Sequence, residues 1–266
     1  MVEHPTGHDQ PLVRAAPLAG HEVSLRSGGA GDAWQARIGQ HEHPWYLTQP
    51  DHWSGLKPRG AHPVPDERWK EWPVPQARLR TARLELVPLA DEHLPYEIEL
   101  DSDPEVMRYI APRARTADEV RQRHQIRLAL AAQGDGRGLW AGFGTAGFIG
   151  LWMLMPPESL ARRAEPGVAE LGYRLLRRHW RRGYAREGAA ELVRHGFADL
   201  ELNRIFAETM AVNAASRATM ASVGLRYVRT FHPELAEPVA GYEHGDVEYE
   251  LHRATWLAGP SPADSS

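Results

Sequence analysis

Apolar and polar positions follow no sustained period over the first 75 residues and a clear one from Arg78 onward. Leu84-Glu85-Leu86-Val87 alternates with the period of two that half-buries a strand, and Pro88 ends the run. Asp91 to Tyr109 reads as helical pieces interrupted by Pro95 and Pro104. Thr116-Ala117-Asp118-Glu119 is a capping-box pattern, so a helix is predicted from there through Val120, Ile126 and Leu130 to Gln133. Leu139 to Phe143 and Phe148 to Leu154 form a predicted hairpin. Val168 to Leu176 is the next strand. Ala185 to Leu200 is a strong helix with Ala189, Leu192, Val193, Phe197 and Leu200 on one face. Arg204 to Val212 is a strand, and Asn213 caps a short helix that Gly224 terminates. Leu225 to Phe231 and Val247 to His252 finish the series as strands. Consecutive strands beside crossover helices imply an α+β class, a mixed and mostly antiparallel sheet flanked by helices.

The aperiodic start changes the picture of domain organisation. Residues 1–75 hold 10 of 21 prolines, 7 of 14 histidines and 5 of 9 tryptophans, with few aliphatic residues to build a core of their own. Residues 1–75 are therefore expected to be a Pro/His/Trp-rich extension, with Ser27 to Gly31 as a flexible joint. Trp45, Tyr46, Trp53, Trp69 and Trp72 would drape over the domain that follows. That domain is expected at 76–257, and the small, polar residues 258–266 read as a disordered tail. Met1-Val2-Glu3-His4-Pro5 lacks the basic-then-apolar layout of a signal peptide, so the expected location is cytoplasmic. Gly138 to Pro157 is uncharged and about as long as a membrane span. Five glycines within it and Thr145-Ala146 between Gly144 and Gly147 favour a buried hairpin instead, so no membrane partner is expected.

Composition removes several chemistries. Cysteine is absent, which excludes disulfides, thiolate metal sites and a cysteine-bound intermediate. A net charge of −4 argues against a broadly basic nucleic-acid binder. His41-Glu42-His43 and His52 lack further ligands at a familiar spacing, so they read as loose surface histidines and no metal is expected.

The segment Leu175 to Arg186 carries the most information. A strand ends, a tight turn follows and a long helix starts. Gly183 permits a backbone shape closed to other residues. Amides of the turn and of the first helical residues lack helix partners and sit at the positive end of the helix dipole, a natural cradle for phosphate oxygens. Arg174, Arg177, Arg178, Arg181, Arg182 and Arg186 add long-range attraction. The competing reading is a solvated basic face. Neither the GxxxxGK[ST] nor the GxGxxG spacing is present.

Trp180-Arg181-Arg182-Gly183-Tyr184-Ala185 resembles the coenzyme A pyrophosphate loop, Q/R-x-x-G-x-G/A, of the GNAT superfamily of N-acyltransferases, and of its RimJ/RimL-like branch in particular. Glu170-Leu171-Gly172-Tyr173 is similar to the fourth strand of that branch, and Asn213-Ala214-Ala215-Ser216 followed by Gly224-Leu225 to its N-x-x-S…G-[F/L] segment. The likeness spans roughly Leu79 to Trp256. Trp180 departs from it, standing where the motif prefers Gln or Arg. The resemblance implies a GNAT fold and an N-acyltransferase that takes acetyl-CoA as donor substrate and a primary amine, on a small molecule or a protein N-terminus, as acceptor. It implies that Leu175, Leu176 and Arg177 pair with the pantetheine arm and that Arg181, Arg182, Gly183, Tyr184 and Ala185 hold the pyrophosphate. Asn213 and Ser216 would approach the arm near the thioester. It also allows a homodimer.

Transfer from a thioester to an amine needs a base for the ammonium, a donor for the carbonyl oxygen and a proton for the departing thiolate. With no cysteine, direct attack in a ternary complex is the simplest scheme. Glu208 lies in the mostly apolar run Phe206 to Met210, on the strand predicted to flank the acyl group, and is the first candidate base. A structural ion pair with Arg204 or with an arginine on a neighbouring strand is the bland alternative. Glu170 is the second candidate, since other members carry a base on the fourth strand; a water relay is the third. Many GNAT enzymes carry an acidic tyrosine seven residues after the asparagine, where this chain has Met220. Ser216 is the replacement the resemblance suggests, against a reading in which it bonds only to backbone. The rival from another class is a non-catalytic acyl-CoA-binding module, for which Met220 is the argument.

Overall fold

The computed structural model describes residues 74–132, 135–157, 165–233 and 238–259, together with a short antiparallel ladder between β1 (Leu25–Arg26) and β2 (Gln35–Ala36). The joint at Ser27 to Gly31, the five aromatic residues from Trp45 to Trp72, the His41–His43 and His52 group and residues 260–266 lie outside the described residues.

Eight strands make one sheet: β3 (Leu79–Arg80), β4 (Glu85–Pro88), β5 (Gly138–Gly144), β6 (Gly147–Met155), β7 (Val168–Leu175), β8 (Arg204–Met210), β9 (Arg226–Phe231) and β10 (Asp246–His252). Their spatial order is β3-β4-β5-β6-β7-β8-β10-β9. Every neighbouring pair is antiparallel except β7 and β8. The α+β class with a mixed, mostly antiparallel sheet is what the sequence pattern predicts. The uncharged stretch is the expected hairpin β5–β6, turning at Thr145-Ala146. Among the described residues, no helix is long and apolar enough to cross a membrane.

Helices cover both faces. α1 (Leu94–Asp101), α2 (Pro104–Met107) and α3 (Ala117–Ala131) lie toward one, with α1 against β6 and α3 against β5. α4 (Tyr184–Arg194), continued by a π turn at His195–Asp199, packs on β6 and β7 across the other. α5 (Ala214–Ser222) lies beside α4 on β8 and β9. Strand alternation sorts the core accordingly. Trp152, Leu171, Leu175, Ile205 and Ala207 join Ala189, Leu192 and Phe197 in one cluster, and Leu151 and Met153 join Leu100 and Val106 in another. Gly188 lets α4 approach, since a Cβ there would meet the Trp152 ring at 2.4 Å.

Two details differ from the expectation. Pro95 and Pro104 stand in the first turns of α1 and α2, where a missing N–H costs no hydrogen bond, so they open helices instead of interrupting them. A last helix, α6 (Arg253–Ala258), follows β10 where no helical period is legible. Tertiary contacts hold it: Arg253 donates from Nε to the Phe197 carbonyl at 2.9 Å, and Trp256 lies 5.6 Å from the Phe197 ring.

Candidate active site

The parallel pair opens the sheet. β7 and β8 are in register at Val168–Arg204, Ala169–Ile205 and Glu170–Phe206, and pairing stops there. β7 runs on to Leu175 and β8 to Met210, so the two strands diverge with backbone groups facing a gap. A cleft of about 830 Å³ fills that gap. Leu171 to Leu175 form one wall, Glu208, Thr209 and α5 the other, and His179 to Arg181 with Gly183 to Arg186 close one end.

That end is built by local backbone chemistry. After β7 a 3-10 turn (Arg177–His179) leads to Trp180, whose indole Nε1 donates to the Leu175 carbonyl at 2.7 Å and folds the turn back on the strand. Arg181 has φ 58° and Gly183 φ 81°, two left-handed residues separated by one. Such alternation turns successive amides inward. Gly183 is the N-cap of α4 and no side chain caps that end, so the first amides of the helix keep the anion-binding character of a bare N-terminus. Arg83, from the turn between β3 and β4, braces the loop. It donates from Nη1 to the Arg182 carbonyl at 2.9 Å, binds Glu187 in α4 through Nε at 2.6 Å, and lies over the Tyr184 ring at 4.5 Å. Thr81 donates to the same Glu187 carboxylate at 2.5 Å.

The other end is organised by Asn213. Its Oδ1 accepts the Ser216 N–H at 3.2 Å and its Nδ2 donates to Thr209 Oγ1 at 3.0 Å, so one side chain caps α5 and ties it to β8. Ser216 Oγ lies 3.3 Å from the hydroxyl of Tyr173, which donates to the Ser216 carbonyl at 3.1 Å. Burial pushes the Tyr173 hydroxyl up to about 12, only partly offset by its bonds to α5. Met220 is buried and lines the same cleft.

Beneath β7 on the α1–α3 face lies a buried ionic cluster. Glu97 binds His124 Nδ1 at 2.9 Å and Arg127, and Asp101 binds Arg127 at 3.4 Å and Arg174 at 3.2 Å. Burial would raise Glu97, but Arg127, His124 and Arg174 outweigh it and hold the carboxyl at about 2. Burial lowers Arg174 to about 9 against the pull of Asp101. The cluster fixes α1 and α3 to the strand that forms the cleft wall.

Most sequence-predicted positions converge here. Leu175, Arg181, Gly183, Tyr184, Ala185, Asn213, Ser216 and Glu208 all line the cleft. Leu176, Arg177 and Arg182 belong to the loop but not to the lining. Glu170 is buried at the last paired position, below the divergence, and is not among the lining residues. Glu208 is buried on β8 opposite Glu248 of β10, while Arg204 binds Glu165 at 2.7 Å and Glu250 at 3.1 Å. Tyr173 is a residue that sequence reasoning missed as chemistry. Its partner is 43 positions away, so no spacing signal marks it. Arg83 was missed for the same reason. Among the described residues no group of acidic, histidine or cysteine side chains could hold a metal ion.

Residues 83–226 match the family model of the acetyltransferase (GNAT) domain. A curated relative from Aspergillus fumigatus, FsC-acetyl coenzyme A-N(2)-transacetylase, is 41% identical over 191 residues, covering 71% of this chain and 81% of the relative. The spermidine N-acetyltransferase of Vibrio cholerae, solved with CoA and spermine, superposes with a TM-score of 0.55 at 16% identity, over 66% of this chain and 99% of that one. RimL, a ribosomal L7/L12 alpha-N-protein acetyltransferase solved with CoA, gives 0.54 at 18% identity, over 66% and 97%. At that identity the two structures share the fold.

Proposed function

The chain belongs to the GNAT acetyltransferase family and is an N-acetyltransferase; from that premise we propose that acetyl-CoA threads the gap between β7 and β8 and passes its acetyl group directly to a primary amine. One observation carries the reading: the two strands part beside a helix N-terminus that no side chain caps. The residues present fit the donor. Arg181 to Ala185 would take the pyrophosphate on main-chain amides, with arginine side chains supplying charge. The free backbone edge toward Leu175 would pair with the amide-bearing pantetheine arm. Acetyl-CoA supplies an activated carbonyl and a good leaving group; the protein supplies position, a base and proton donors.

Glu208 is the base in this scheme. Ile205 and Ala207 pack with α4, so alternation sends Glu208 to the opposite face of the sheet while it still lines the cleft. A buried carboxylate there can accept the ammonium proton of an amine arriving from that face. Glu170, below the divergence, has no comparable access.

The motifs at Glu170–Tyr173 and Asn213–Ser216 support placement in the RimJ/RimL-like branch. The fungal relative suggests FsC as a first acceptor, ahead of polyamines and α-amino peptides. A cytoplasmic location is consistent with this donor. Calorimetry with CoA and a thiol-release assay with acetyl-CoA plus FsC, spermidine and an α-amino peptide test the reading. Binding with amine-dependent release is expected; binding without release would leave an acyl-CoA-binding module, and no binding would end the assignment. Glu208→Gln should lower kcat by about a hundred-fold or more while CoA affinity holds, as removal of a general base does. An unchanged kcat would return the role to a water relay.

A further inference from the structure

The divergence of β7 and β8 is a hole in the sheet, and the groups around it are sorted by face. Glu208 lies on the face away from α4 and α5. Tyr173 lies on the other, with Leu171 and Leu175, and reaches the first turn of α5. A carbonyl carbon held in that hole can be approached by an amine from one face and can expel a leaving group toward the other. We infer that Tyr173 is the catalytic residue that protonates the departing sulfur, with Ser216 as its hydrogen-bonded partner. This rests on the acetyltransferase reading above.

Three observations converge on Tyr173. Its side chain lines the cleft. Its hydroxyl is held by two atoms of Ser216, at 3.1 Å to the carbonyl and 3.3 Å to Oγ, beside the Asn213 cap. And α5 itself carries no phenol facing the gap: its buried cleft-lining side chain is Met220, which cannot donate. Strand β7 thus delivers the hydroxyl that the helix lacks. Burial keeps that hydroxyl protonated well above neutral pH, so the proton is in place when needed.

The amine lone pair forms the C–N bond at the thioester carbonyl, whose π electrons move onto oxygen. Their return breaks the C–S bond, and that bonding pair leaves on sulfur. Tyr173 gives its phenolic proton to the sulfur, and CoA departs as the thiol. Glu208 passes the ammonium proton on to solvent before attack, and the freed carboxylate takes the proton that the nitrogen loses as the amide forms. After release the phenolate recovers its proton from solvent through the Ser216 hydroxyl, which gives one proton and receives another in the same event, so that no alkoxide forms.

The test uses the full chain with acetyl-CoA and FsC. Tyr173→Phe is expected to lower kcat ten-fold or more, with KM for acetyl-CoA within three-fold and the calorimetric Kd for CoA unchanged. In a second variant, 3,5-difluorotyrosine at position 173 keeps the ring and its bonds while making the phenol more acidic. The alkaline limb of its kcat profile is expected to move to lower pH. Its fluorine resonance is expected to shift on adding CoA but not desulfo-CoA. A phenylalanine variant within two-fold of the parent overturns the inference. If that variant melts early, a fluorinated enzyme whose pH profile superimposes on the parent's overturns it instead. Either result with an active parent leaves the transferase reading standing; a parent with no amine-dependent thiol release overturns both.

Discussion

Gly183 shows how one residue sets the donor site. At φ 81° it occupies a region where a side chain costs about 1–2 kcal/mol, and an added Cβ would find only the Arg83 guanidinium, at 3.3 Å. Space is therefore not the constraint; backbone shape is. Gly183→Ala should leave the melting temperature nearly unchanged, because the loop can relax to an ordinary conformation. Relaxation would turn the amides away, and Kd for CoA should rise about ten-fold, the equivalent of about 1.4 kcal/mol. Unchanged calorimetric affinity would show that those amides do not hold the diphosphate. Arg83 makes a complementary case. It stabilises the loop from outside, through the Arg182 carbonyl and Glu187, and is itself half exposed. Arg83→Ala should raise KM for acetyl-CoA several-fold and spare kcat at saturation; a fall in kcat alone would place Arg83 in the chemistry. The glycine and the loop arginines were legible in the chain, because local backbone demands leave local marks. Arg83 and Tyr173 were not, since their roles arise from partners about 40 to 100 positions away.

Elements explain why the cleft stays open. The helices and most strands follow from period and caps: the Thr116–Glu119 capping box opens α3, and Asn213 opens α5. What the pattern does not contain is register. Three paired residues between β7 and β8, then none, is a fact of tertiary packing, and hydrophobic alternation looks the same before and after the break. The buried cluster on α1, α3 and β7 holds that geometry from below, and it makes stability depend on pH. Glu97 titrates at about 2 in the fold and near 4.5 outside it, so its contribution is complete above 4.5 and is lost as pH falls toward 2. His124 is raised above 6.5, chiefly by its hydrogen bond to Glu97, so its contribution is complete below 6.5 and fades as pH climbs through its folded value. The cluster therefore stabilises most between about 4.5 and 6.5. Glu97→Gln leaves Arg127 with Asp101 as its remaining carboxylate partner and should cost about 3–5 kcal/mol. Thermal melts from pH 3 to 8 should show the variant with both limbs flattened; curves that merely run parallel would mean that the cluster does not govern the pH response.

At the scale of the whole molecule, the chain is longer than the fold it carries. The RimL and spermidine acetyltransferase structures are matched over 97–99% of their own length by 66% of this chain, and the family model begins at residue 83. The additional length includes the Pro/His/Trp-rich start, whose composition offers aromatic surface and little aliphatic core. We propose that such a segment, poor in core of its own, acts on acceptor specificity, a role that its removal tests. Residues just after it are stitched to the sheet: Gln76 donates to the Leu139 carbonyl at 2.7 Å, and the Ala77 carbonyl accepts from Trp140 Nε1 at 2.7 Å. A deletion of residues 1–73 therefore keeps these anchors and the whole donor loop. CoA affinity should be unchanged in that variant, while KM for the acceptor shifts by about ten-fold and the ranking of amines broadens toward larger ones. A ten-fold change is about 1.4 kcal/mol, within reach of the roughly 1.5–3 kcal/mol that burial of one large apolar side chain contributes. Acceptor kinetics identical to the full chain would detach the extension from the site and leave specificity to the walls of the cleft alone.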